Sequence, residues 1–189
     1  MILLARHGET DDNVPPLRFQ GQRDTPLNDN GRAQARELAE RVAALDPPIA
    51  SLWCSDLSRA RETAEIVGEH IGLTPQLDPR LREGWRGDWE GFLFDEIAAS
   101  DSERYAAWRN PDAEVGFHFP GGETLAQQQA RVRDALADVV TAGELPALVV
   151  CHGGSIRTML CRRDPRRLAA FHTFEVPNVT LVPLEVAEL

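Results

Sequence analysis

Apolar residues fall along this chain in two alternating rhythms. The short unbroken runs Ile2 to Ala5, Ala50 to Cys54 and Ala147 to Cys151 have the length and continuity of strands buried on both faces. Between them the apolar spacing lengthens to three and four residues. Ala35, Leu38, Val42 and Leu45 mark one amphipathic helix, with Asn28 placed to cap its start. A second helix is expected from about Leu57 to Ile71, capped by Ser55, with Ile66, Val67 and Ile71 on its apolar face. A third runs from about Thr124 to Thr141 through Leu125, Val132, Leu136 and Val139, entered from the Pro120-Gly121-Gly122 turn. The last apolar run, Val179 to Leu184, reads as an edge strand.

This order predicts an α/β fold, a three-layer sandwich with helices on both faces of a mostly parallel central sheet. From Gly91 to Pro120 the periodicity weakens, and Phe92, Phe94, Trp108, Phe117 and Phe119 are scattered through it. That stretch reads as an excursion covering one end of the sheet. No internal repeat is visible, and 189 residues suit a single domain over 1–189.

In such sheets a ligand binds beyond the carboxyl ends of the strands. The residues that follow the three buried runs are Arg6-His7-Gly8, then Ser55-Asp56 leading to Arg59, and then His152-Gly153-Gly154. Three distant parts of the chain thus deliver two histidines and two arginines to one rim.

Composition narrows what that rim can do. A formal charge of −10 argues against nucleic acid or an anionic membrane as partner, since both need clustered positive charge. All twenty basic residues are Arg, which excludes Schiff-base chemistry on Lys and a Walker-type phosphate loop. The cysteines, Cys54, Cys151 and Cys161, form an odd set without repeated spacing and fit a reducing compartment. Met1 to Ala5 is too short for a signal segment, and no stretch approaches the ~20 apolar residues of a membrane span, so the expected location is cytoplasmic.

A phosphate monoester is the anion these residues suit. The transferring phosphoryl group spreads charge over three oxygens, and the planar guanidinium forks of Arg6 and Arg59 match such oxygens bidentately. One of His7 and His152 can attack phosphorus through a neutral ring nitrogen. The leaving oxygen then needs a proton donor, for which Glu9, Glu83, Glu90 and Asp88 are all available. No His-x-x-His or Asp-x-Asp pattern suggests a metal-dependent phosphoesterase, and no metal or organic cofactor is expected.

The segment Leu4-Ala5-Arg6-His7-Gly8-Glu9-Thr10 with Asn13 resembles the signature of the histidine phosphatase (phosphoglycerate mutase-like) superfamily. The resemblance continues in order through Gln20-Gly21, Ser55 to Ala60, Leu81-Arg82-Glu83, Trp89-Glu90-Gly91, Pro120 to Glu123 and Val149 to Gly154, and covers nearly the whole chain. It implies that His7 is the phosphorylated nucleophile. Arg6, Arg59 and His152 would complete the phosphate pocket, Glu83 would donate the proton, and Asn13, Gln20, Gly21 and the Gly153 N–H would add phosphate contacts. The activity it implies is metal-independent hydrolysis of small phosphate monoesters. A cofactor-dependent mutase is the alternative within the family, but Glu83 to Gly87 lacks the His-Tyr-Gly segment of those mutases. An inactive phospho-ligand-binding module is the alternative outside catalysis.

Two positions depart from the pattern: Cys151 stands where Ser or Thr is usual, and Asn28 where a Thr or Ser cap is usual. A thiol beside the site would make activity sensitive to oxidants. Arg61, Arg82, Arg86 and Arg157 are read as solvated surface pairs, His70, His118 and His172 as structural, and Trp85, Trp89 and Trp108 as core. The leaving group is expected to be read by the Gly91 to Pro120 excursion, and a homodimer is expected on general grounds.

Overall fold

The computed structural model describes residues 1–110 and 116–189. Five strands form one sheet in the order β3-β2-β4-β1-β5. They are β1 (Ile2–Arg6), β2 (Ser51–Cys54), β3 (Gln76–Leu77), β4 (Ala147–Cys151) and β5 (Leu181–Leu184). β3, β2, β4 and β1 run parallel to one another, and β5 is antiparallel to β1. Pro183 pairs opposite Leu3 on this outermost strand, where its missing N–H breaks no ladder.

The layers follow from side-chain alternation. Ile2 and Leu4 of β1, with Ala147, Val149 and Cys151 of β4, point to one face. There they meet Val132, Leu136 and Val139 of α5 (Leu125–Ala142) and Ile156 and Met159 of α6 (Gly153–Leu160). Leu3, Ala5, Leu148 and Val150 point to the other face. They meet Leu38 and Val42 of α1 (Asp29–Ala43) and Ala60, Ala64 and Val67 of α2 (Ser58–Ile71). Runs that must be apolar on both sides lose the alternating pattern, which is why the sequence showed them as continuous. The three-layer, mostly parallel sandwich is therefore as expected.

Asn28 does cap α1, its side chain accepting from the Gly31 N–H at 2.8 Å. Ser55 does not cap α2. Leu57 occupies that position, its own N–H donating to Ser55 Oγ at 3.3 Å. Ser55 is buried among the site residues instead.

The expected excursion holds two short helices, α3 (Phe94–Ser100) and α4 (Ser102–Arg109), and its residues 111–115 lie outside the described ones. The two helices are held by an aromatic cluster of Phe19, Trp89, Trp108, Phe117 and Phe119, with Phe94 and Tyr105 against it. His172 is tied in by a bond between its Nε2 and the Trp108 carbonyl at 2.9 Å. Trp85 is not core. Its N–H and carbonyl are fixed by Glu123, through the carboxylate and the N–H, and this turns the ring outward, half exposed. No helix among the described residues is long and apolar enough to cross a membrane.

Candidate active site

The ends of β1 and β4 are level, Arg6 facing Cys151 across the ladder, so the residues after them emerge side by side. His7 extends the pairing by one bond, from its N–H to the Cys151 carbonyl at 3.0 Å. Gly8 then passes so close to the start of α1 that a Cβ would lie 2.3 Å from the Gly31 carbonyl oxygen. Only a glycine lets His7 sit at this crossing.

His7 is 2% exposed. Its Nδ1 lies 2.6 Å from the Gly8 carbonyl, which can only accept, so Nδ1 carries the proton and Nε2 keeps its lone pair. Burial, reinforced by the Arg59, His152 and Arg6 charges, pushes its pKa well below the ordinary 6.5. The imidazole is therefore neutral, the form a nucleophile requires. His152 occupies the N-cap position of α6, fully buried, with Nε2 bonded to Ser55 Oγ at 2.9 Å. The two rings lie 5.1 Å apart. Burial and the nearby arginines lower the His152 pKa well below 6.5 as well.

Arg59, in the first turn of α2, has no exposed surface and donates to the Arg23 and Gly21 carbonyls at 2.8 and 2.7 Å. Arg6 donates to the Val176 carbonyl at 2.6 Å. Burial lowers both guanidinium pKa values to about 10, which leaves them charged at neutral pH.

Glu83 reaches the site from the loop after β3. One carboxylate oxygen accepts from the Gly84 N–H at 2.7 Å and the Gln128 amide at 2.9 Å, the other from the Gly154 N–H at 2.9 Å. Arg86 approaches it at 3.5 Å. Burial alone would push this carboxyl up, but the Arg86 charge, the two N–H groups and the Gln128 amide outweigh it and hold the pKa at about 2.

These groups surround a cavity of about 290 Å³. Arg6, His7, Asn13, Gln20, Gly21, Glu83 and Gly153 are on its wall, and Arg59 and His152 are not. Leu17, Phe19, Phe94, Trp108, Arg157 and Phe171 line it too. Among the described residues, Arg6 Nε, Arg59 Nε, Arg86 Nη1 and His152 Nδ1 are buried nitrogens without a hydrogen-bond partner. A buried polar group left unpaired costs about 1–3 kcal/mol, so four of them gathered at one site mark a place built for an anion. No group of three or more His, Cys, Asp or Glu side chains among the described residues is placed to hold a metal ion.

Several sequence readings change here. Arg61 and Arg82 are surface pairs as expected, with Glu65 and Asp56. Arg86 and Arg157 are not, because the loop after Glu83 and the first turns of α6 face inward. Arg86 is 8% exposed with its guanidinium 4.6 Å from the Phe119 ring, and Arg157 donates to the Phe174 carbonyl at 2.9 Å. Cys151 is fully buried, and burial raises its thiol to about 12, which disfavours the reactive thiolate.

Three further residues escaped the sequence reading. Asn178 donates to the His7 carbonyl at 2.9 Å, and Arg131 donates to the Arg80, Arg82 and Glu83 carbonyls while paired with Glu123, fixing the loop that carries Glu83. Gln128 is wholly buried, and its amide serves both Glu83 and Ser155. A signal for Gln128 was available: it falls on the apolar stripe of α5 between Leu125 and Val132, where an amide needs a partner.

Fold and site thus define an α/β protein with a neutral imidazole at a cavity bordered by guanidinium groups. The chain matches the histidine phosphatase superfamily (branch 1) over residues 2–188. It is 38% identical over 167 residues to the glucosyl-3-phosphoglycerate phosphatase of Mycobacterium tuberculosis (strain CDC 1551 / Oshkosh), covering 84% of this chain and 72% of that protein. Mycobacterial glucosyl-3-phosphoglycerate phosphatase in complex with VO3 superposes with a TM-score of 0.82 at 33% identity, covering 95% and 90% of the two chains. A putative α-ribazole-5′-P phosphatase from Escherichia coli (str. K-12 substr. MG1655) gives 0.79 at 29% identity, covering 92% and 83%. The chain belongs to the histidine phosphatase superfamily, and it is a phosphatase of that family.

The two buried neutral histidines fix the sign of one pH effect. In the unfolded chain they titrate near 6.5, in the fold far lower, so the unfolded state binds more protons below about pH 6.5. Their contribution is complete above that value and is lost as the pH falls towards their folded pKa. Glu83 acts in the same direction further down, between its ordinary 4.5 and about 2. Each histidine can contribute up to ~1.4 kcal/mol per pH unit in this window. Melting scans should show Tm about 5 °C or more lower at pH 5.5 than at pH 7, a drop reduced in His7→Asn. A flat Tm over that interval would contradict the assignment of both rings as neutral.

Proposed function

We propose that this phosphatase hydrolyses phosphate monoesters of small hydroxylated molecules through a phosphohistidine on His7. The observation that carries the reading is the lone pair on buried His7 Nε2, fixed by the Nδ1 contact to Gly8, beside unpaired donors of Arg6, Arg59 and His152. The phosphate dianion lies among these donors, the Gly153 N–H and the Asn13 and Gln20 amides. Nε2 forms the N–P bond as the P–O bond to the leaving oxygen breaks, and Glu83 delivers a proton to that oxygen. Glu83 is ionised in the free site, so it takes up this proton as the dianion enters and raises its affinity for one. Water, deprotonated by the same carboxylate, then attacks phosphorus, breaks the N–P bond and releases inorganic phosphate. Charge stabilisation comes from fixed guanidinium and imidazole donors throughout.

The mixed wall of aromatic rings and Arg157 suits a small hydroxylated sugar or acid as leaving group. Similarity to glucosyl-3-phosphoglycerate and α-ribazole-5′-P phosphatases supports that class. The test is a panel of such monoesters with EDTA present, following both phosphate release and isomerised product. Turnover should persist with chelator and should favour compact polyhydroxy esters over bulky ones. Loss of activity with chelator would overturn the mechanism, phosphoryl return to the product would make the protein a mutase, and no release on any ester would make it a binding module.

A further inference from the structure

We propose that Arg86 is a positioning residue that keeps the Glu83 carboxylate ionised until a phosphate dianion enters, so that the proton donor is loaded only when substrate is present. The inference rests on Glu83 being the donor in the reaction above. Arg86 lies three residues after Glu83, at the end of a loop whose geometry is closely set. Gly87 beyond it has φ +56°, and a Cβ there would lie 1.9 Å from the Pro120 carbonyl oxygen. The Arg86 N–H is held by Glu90 Oε1 at 3.0 Å, and the guanidinium is clamped against Phe119, 4.6 Å from the ring centroid. This side chain therefore has little freedom to leave.

What it faces is specific. Nη2 lies 3.5 Å from Glu83 Oε1, while Nη1 is buried without a partner. Glycines at 84 and 154 make the approach possible: a Cβ on Gly154 would lie 2.2 Å from Glu83 Oε1 and 2.8 Å from Arg86 Nη2, and one on Gly84 would lie 2.7 Å from Arg86 Nη1. A buried guanidinium with one nitrogen on the carboxylate and another unpaired, on the wall of the phosphate cavity, can serve two anions in turn. With the cavity empty of anion its charge stabilises the Glu83 carboxylate. Once a dianion is present the same charge is shared, and the carboxylate gains its proton.

From its own loop the Gly84 N–H faces the Glu83 carboxylate, from α5 the Gln128 amide, and from α6 the Gly154 N–H. Arg131 of α5 binds the Glu83 carbonyl, not its carboxylate. Arg6 at the end of β1 and Arg59 in the first turn of α2 act on it electrostatically. Arg86 is the cation in closest contact, and it is the largest influence favouring the ionised form.

The test is a carboxyl titration followed by NMR on full-length protein labelled with carbon-13 at glutamate, the Glu83 signal assigned by its absence in Glu83→Gln. In the parent the signal should remain that of a carboxylate down to the lowest pH at which the fold persists. In Arg86→Met, which keeps the apolar stem against Phe119, its midpoint should rise by about one unit or more, a tenfold change in proton affinity. Arg86→Lys should restore a low midpoint. On alkyl phosphates, the alkaline limb of the kcat/KM profile should move up in Arg86→Met and return in Arg86→Lys. An unmoved midpoint in Arg86→Met, or an equal rise in both variants, overturns the proposal; if the methionine variant does not fold, Arg86→Gln supplies the uncharged arm. The titration needs no turnover, so it stands apart from any failure of the phosphohistidine route.

Discussion

Replacing His7 with alanine is expected to lower kcat by a factor on the order of a thousand or more, whatever the leaving group, while the protein stays folded. The covalent route divides hydrolysis into two displacements, and without Nε2 the first has no nucleophile. The guanidinium cage would still bind phosphate, so KM should change far less than kcat. Truncation also removes a buried ring that accepts no essential bond from its neighbours. Its Nδ1 contact to Gly8 is local, and the Asn178 bond goes to the His7 backbone carbonyl, which alanine retains. Parallel steady-state kinetics and melting scans separate loss of chemistry from loss of fold, and activity near the parental level would remove His7 from the role.

The second large effect concerns Glu83→Gln, and here the leaving group decides its size. An alkoxide needs a proton as it departs, whereas p-nitrophenolate leaves readily as the anion. The loss should be about a hundredfold or more on alkyl phosphates and within about tenfold on p-nitrophenyl phosphate. Glutamine is nearly isosteric, but its NH2 cannot accept from the Gly84 and Gly154 N–H groups that the two carboxylate oxygens now serve. A modest common loss on both substrates is therefore expected beneath the leaving-group difference. Equal losses across the series would assign the proton to another carboxyl.

How much of this was legible in the sequence depended on how far each feature was local. β1, β2 and β4 stood out because strands buried on both sides must be apolar at every position, and α1 because Asn28 caps it where the periodicity begins. β3 is only two residues long and both are exposed, so no pattern could announce it. The helices α3 and α4 are held by aromatic rings that contact Phe19 from far upstream and Phe117 and Phe119 from downstream, which is a tertiary pattern without a period.

The site divides along the same line. The strand-end rule pointed to Arg6, His7, Arg59 and His152, and motif order pointed to Glu83. Which arginines turn inward was not readable: Arg82 and Arg86 are four residues apart in one loop, yet the first pairs with Asp56 at the surface and the second is buried. Their difference is made by Phe119, far downstream, against which the Arg86 guanidinium packs, and by Glu90 four residues on, which holds the Arg86 N–H. Ser55 illustrates the converse, a residue suited to capping that the fold uses to hold His152.

The central claim is tested most directly by locating the phosphoryl group itself. Enzyme mixed rapidly with substrate, quenched in alkali where phosphohistidine survives, and digested for tandem mass spectrometry should yield one phosphorylated peptide, modified on the His7 ring and absent from His7→Ala. A phosphoryl group found on His152 or on a carboxylate, or turnover with no trapped species although release of phosphate is the slow step, would contradict it.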